Sequence, residues 1–150
     1  MPFYVWNPKI IGLKIPEMDA EHQVLIGHMN SVYDAKERKA TKEEISKLLG
    51  DLLAYTRQHF GDEEKYMEKI HYTGIVRHRA IHEKLLAQLK VYGEAFEKSG
   101  ILTEALFEFL SFWWTSHIKG MDFQYAEFKQ KSDSEKEEQG SVGVLSLSKP

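Results

Sequence analysis

The sequence predicts an all-α fold: an up-down-up-down antiparallel four-helix bundle with an N-terminal arm and a flexible C-terminal tail. Three observations carry this. Four segments repeat apolar residues at three- and four-residue steps, the period of one helix face. The connections between them are short, which makes neighbouring helices antiparallel. Five of the seven histidines fall inside those apolar stripes, alternately early and late along successive segments.

Residues 1 to about 17 form the arm. Pro2, Pro8, Gly12 and Pro16 keep it irregular, while Phe3, Tyr4, Val5, Trp6, Ile10 and Ile11 make it apolar enough to pack across the bundle. The first helix is expected to start near Asp19, a good N-cap residue; its stripe is His22, Leu25, Met29, Val32 and Tyr33. A capping box, Thr41 with Glu44, opens the second. Its stripe runs Ile45, Leu48, Leu52, Thr56, His59, Glu63, Tyr66, Met67 and Ile70. The third presents Ile75, His78, His82, Leu85, Leu89, Tyr92 and Phe96, and ends at Lys98-Ser99-Gly100. The fourth presents Leu102, Leu106, Phe109, Leu110, Trp113 and His117, and is expected to end near Gly120. Residues 1–130 form one domain. Residues 131–150, polar and then weakly apolar, are expected to form the tail, with Val144-Leu145-Ser146-Leu147 a candidate to dock.

A chain of 150 residues, 42% hydrophobic and 12% aromatic, supports one real core. Its net charge of -3, without a Lys/Arg cluster, speaks against a nucleic-acid partner. No apolar run approaches the roughly 18 residues of a membrane span. The N-terminus lacks the charged and apolar regions of a signal peptide. With no cysteine there are neither disulfides nor thiolate ligands. The expected compartment is the cytoplasm and the expected state a monomer.

The histidines decide the rest. His22 stands alone, Glu63 follows His59 at i+4, His78 and His82 are an i, i+4 pair, and Asp122 follows His117 at i+5. Residues four apart share a helix face. A five-residue step is about 140° of rotation on an α-helix, so the chain has to bulge there; Gly120 eases it. In an antiparallel bundle, the start of one helix lies beside the end of the next. His22 and His78/His82 are early, while His59/Glu63 and His117/Asp122 are late, so all seven meet at one end. Burying Glu63 and Asp122 without a cation would cost several kcal/mol each.

Each motif taken singly has a plainer explanation. A lone core histidine is usually just hydrogen-bonded, a His pair at i+4 is common on helix surfaces, and His59 with Glu63 is an ordinary helical ion pair. Taken together they point to metal. His28, off the face of His22, and His71, at a helix C-terminus, belong to the surface.

Zinc prefers closed tetrahedral sites, and magnesium and calcium prefer oxygen. Imidazole mixed with carboxylate suits iron, with manganese or cobalt as alternatives. Two octahedral irons with five imidazoles, two bridging carboxylates and an oxo or hydroxo bridge keep a single position open, enough for a small diatomic such as O2. Ferritin-type di-iron oxidases use four carboxylates and two histidines. The reversed ratio here stabilises high oxidation states less and favours reversible O2 binding.

The ligand pattern resembles the hemerythrin family, and more closely its bacterial members. Trp6, the I-P-E-M-D-A-E-H stretch, Y-T-R-Q-H-F-G-D-E-E and W-W-T-S-H-I extend the resemblance over roughly residues 6 to 129. It implies that His78, His82 and His117 hold one iron, that His22 and His59 hold the other and leave it open to O2, and that Glu63 and Asp122 bridge. It also implies an O2 pocket walled by Trp113, Trp114 and Ile118, with Leu25 and Phe60 as further walls. Trp114 stands where the family commonly has Leu, which narrows or reshapes the pocket. The expected function is an O2 carrier or store without catalytic residues, serving an acceptor protein. Two other readings are an O2 or redox sensor acting through a partner, and a di-iron peroxidase or NO-handling enzyme. No acid–base cluster for proton delivery is evident around the ligands, which speaks against the enzyme.

Overall fold

The computed structural model describes the backbone of residues 3–147 and the side chains of residues 3–138. Its helices are α1 (Pro8–Ile11), α2 (Pro16–Glu37), α3 (Lys42–Lys69), α4 (Ile75–Ser99), α5 (Glu104–His117) and α6 (Phe123–Leu147), with a π-helical segment, Ile118–Asp122, joining α5 to α6. The bundle consists of α2, α3, α4 and the continuous α5–π–α6 rod. α2 packs on α3, α3 on α4 and α4 on α5. The ring of His22 against that of Trp114 closes α2 onto α5.

The short connections are closed by left-handed residues. Lys39 (φ 55°) and His71 (φ 58°) each follow a helix end. The amide after each donates back across the turn, Ala40 N to Ala35 O and Tyr72 N to Met67 O, both at 2.9 Å. That pattern satisfies the carbonyls a helix end leaves unpaired. Gly100 (φ 71°) ends α4 where the sequence predicts. Thr41 caps α3 as expected, its Oγ1 accepting from Glu44 N at 3.2 Å. The Glu44 carboxylate, however, pairs with Arg38 rather than turning back to the cap.

Two helix boundaries and one core position differ from expectation. α2 starts at Pro16, not Asp19, because proline is preorganised for the first helical position. Asp19 lies inside the helix, and its Oδ1 accepts from Leu13 N at 2.8 Å, tying down the arm. In α3 the core position falls to Leu49, and Leu48 is half-buried. The fourth helix does not end near Gly120. A Cβ there would meet nothing, and the π turn absorbs the extra residue, so the backbone continues as helix. Residues 131–147 are therefore helical where a tail was expected. Asp133 to Glu138 are exposed along it. The candidate docking piece Val144–Leu147 has no described side chains.

The arm contains one turn of helix, and of its expected packing residues Val5 and Ile10 are exposed. Ile11, Leu13 and Ile15 are buried. Phe3 stacks on Tyr33 at 5.1 Å, and Tyr4 exchanges two hydrogen bonds with the Asn30 amide, at 2.7 and 2.8 Å.

Candidate metal centre

The period of each helix brings seven polar side chains into one layer of an otherwise apolar core. His22 comes from α2, His59 and Glu63 from α3, His78 and His82 from α4, His117 from the end of α5, and Asp122 from the π segment. None is more than 5% exposed. The π turn takes up the i+5 step: His117 Nε2 lies 3.1 Å from Asp122 Oδ1. A π turn at a functional site is a recurrent use of that rare geometry.

The two carboxylates divide the imidazoles into two groups. Glu63 Oε1 faces His82 Nε2 at 2.8 Å and His78 Nε2 at 3.2 Å. Its other oxygen, Oε2, faces His22 Nε2 and His59 Nε2, each at 3.5 Å. Asp122 repeats the division: Oδ1 is 3.1 Å from both His78 and His117, and Oδ2 is 3.3 Å from His22. One group has three imidazoles and the other two, with a carboxylate oxygen of each acid turned to each group.

The unpaired atoms test whether this set suits a metal. Among the described residues, His22 Nε2 and both Asp122 oxygens are buried without a hydrogen-bond partner. Buried polar atoms are rarely left so. His78 Nε2 and His117 Nε2 stand 3.3 Å apart beside the same carboxylate oxygens. Lone pairs crowded in this way are what a cation organises, and the donor atoms form two overlapping groups that each fit an ion, Glu63 with His78, His82, His117 and Asp122, and His22 with His59 and Glu63.

In the metal-free protein the same crowding displaces the protonation equilibria. Burial pushes Glu63 up, but His117, His22, His78 and His82 outweigh it and hold the carboxyl well below its usual range. Burial and the neighbouring Glu63 push Asp122 up, but His117 and His22 bring it down. Burial lowers His22 and His117, yet the two carboxylates raise them to about 9 and about 10.

Three groups around the ligands escaped the sequence reading, which saw no acid–base residues there. Glu21 Oε1 accepts from His59 Nδ1 at 2.9 Å, and Glu64 Oε2 faces His82 Nδ1 at 3.4 Å. The Tyr125 hydroxyl donates to Glu63 Oε2 at 2.9 Å. Burial, with the Glu63 and Asp122 carboxylates, pushes this phenol well above its ordinary pKa, so it stays a donor. A signal for Tyr125 existed: it sits three residues after Asp122, on the same face, once the helix is seen to continue.

The expected pocket residues are all buried. Phe60 lies flat on His82, with ring centroids 3.8 Å apart and planes 4° apart. Trp113 meets Phe60 edge-on at 5.8 Å, and Trp114 meets His22 edge-on at 5.3 Å. Leu25 and Ile118 are buried in the same hydrophobic core. His28 and His71 stay outside the cluster; His28 is half-buried, its ring 5.1 Å from that of Tyr55.

A four-helix bundle with histidines and two dividing carboxylates at one end defines a protein built to hold a pair of metal ions. The profile of the hemerythrin HHE cation binding domain matches residues 13–128. The chain belongs to the hemerythrin family. Myohemerythrin of Riftia pachyptila is 32% identical to it over 122 residues, covering 81% of this chain and 90% of that protein. Bacteriohemerythrin of Stenotrophomonas maltophilia is 27% identical, over 85% of this chain and 82% of its own. A crystal structure of wild-type hemerythrin superposes with a TM-score of 0.75 at 25% identity, over 83% of this chain and 95% of that one. The family is one of di-iron proteins, and together with the cluster it fits a di-iron O2-binding protein. Among the described residues no helix is long and apolar enough to cross a membrane.

Proposed function

We propose that this protein binds O2 reversibly at two iron ions and acts as a carrier or store. One observation supports this above the others: each carboxylate turns one oxygen to the three-imidazole group and one to the two-imidazole group. In this reading Glu63 and Asp122 would serve both irons, His78, His82 and His117 would hold one, and His22 and His59 would hold the other. Two ferrous ions, when bound, supply the electrons that O2 binding takes up.

The chain's own residues do the rest. Leu25, Phe60, Trp113, Trp114 and Ile118 wall the site and exclude water. The stacked Phe60 fixes the ring of His82. Trp114 stands beside His22, in the two-imidazole half, and its indole N–H is buried without a partner among the described residues. Tyr125 keeps Glu63 charged and oriented by donating to it.

The test is the absorption spectrum of the ferrous protein under nitrogen, then in air, then under nitrogen again. A visible charge-transfer band that comes with air and leaves with it is the expected result. Immediate irreversible oxidation would overturn the carrier reading in favour of an enzyme or redox sensor.

A further inference from the structure

Two pairs of neighbours in sequence repeat one device. In Glu21-His22 on α2, His22 points into the cluster while Glu21 takes the outer nitrogen of His59 on α3, at 2.9 Å. In Glu63-Glu64 on α3, Glu63 points inward while Glu64 lies 3.4 Å from the outer nitrogen of His82 on α4. Each pair thus sends one donor inward and uses the other to hold an imidazole of the next helix. Among the described residues, the outer nitrogens of His22, His78 and His117 have no such partner.

The two devices are not equal. Glu64 divides its carboxylate with Arg79, whose Nε lies 3.2 Å away. It also serves the half of the cluster that has three imidazoles. Glu21 serves the half that has two, where each imidazole is a larger share of what holds the ion. A carboxylate on the outer N–H of a metal-binding histidine fixes its tautomer, aims its ring and raises its donor strength.

We propose that Glu21 is the positioning residue of the two-histidine subsite, so that its loss weakens the second metal ion while sparing the first. This rests on the dimetal reading above. Glu21 is 23% exposed, so replacing it leaves the core intact.

The experiment is a stepwise titration of the metal-free protein with cobalt(II), followed by the visible bands of each ion and by total bound metal. The wild-type chain is expected to take up two ions. Glu21→Ala should bind the first normally and the second about tenfold to a hundredfold more weakly, the usual effect of removing such a partner. Glu21→Gln should lose less, because its amide oxygen still accepts from His59. Glu64→Ala, the matching change in the other half, should spare that second step. Equal weakening of both ions in Glu21→Ala, or of neither, overturns the proposal while leaving the dimetal reading intact. A wild-type chain that takes up fewer than two ions overturns both.

Discussion

The two ends of the bundle are held by different physics. At the end far from the histidines, Val32, Leu49, Leu89, Phe96, Leu106 and Leu110 bury apolar surface against one another. That end is stabilised without any ion. At the other end the same helices bury five imidazoles, two carboxylates and a phenol. There, stability depends on what compensates the charges, and the compensating partner differs between the metal-free and metal-loaded protein. One end carries the fold; the other puts part of that stability at the disposal of a ligand.

Substitutions at the two ends should therefore separate. The largest effect is expected at Glu63, whose two oxygens serve both halves: Glu63→Ala should hold neither ion, as elemental analysis would show. Full metal content in that variant would refute the assignment. At the far end, Phe96→Ala should destabilise the fold by about 3–5 kcal/mol, measured by denaturant unfolding. Its metal stoichiometry should stay that of the wild type, because Phe96 lies outside the cluster.

The response to pH sharpens the contrast further. In the metal-free protein, His22 and His117 are raised to about 9 and about 10. Their contribution is complete below the ordinary histidine value and is lost as pH rises toward 9–10, because the folded chain holds protons that the unfolded chain has released. Glu63 and Asp122 are lowered, so theirs is complete above the ordinary carboxylate range and is lost in acid. The metal-free protein should therefore grow less stable between neutral pH and about pH 10. Metal needs deprotonated imidazole, so loading should release protons at neutral pH and tighten as pH rises. Calorimetric titration in buffers of different ionisation enthalpy would show that release; a buffer-independent enthalpy would contradict it. The smallest effect is expected at Gly50, on the far half of α3, where an added Cβ meets nothing. Gly50→Ala should add about 0.5–1 kcal/mol of stability and leave metal content alone.

Much of this was legible in the residues because helical period and donor chemistry are local properties. Thr41 and Gly100 marked real helix ends, and the ligand stripes pointed inward as their spacing required. What misled was also local. Asp19 has the chemistry of a cap, but Pro16 had already started the helix. Gly120 has the chemistry of a stop, but the π turn made it an interior residue and carried Tyr125 into the site. Glu21 and Glu64 went unread because nothing in a single helix says that a histidine of the next one lies within reach.

The sequence by itself determined that four amphipathic helices would pack, and that five histidines and two carboxylates would share one end, because the rotation and rise of each helix fix where its residues lie. Only the tertiary structure decided which carboxylate oxygen faces which imidazole, which histidines gain an outer carboxylate, and how Phe60 and Trp114 pack against His82 and His22. Those are set by the crossing and axial rotation of neighbouring helices, quantities that arise only when the packed faces choose one another.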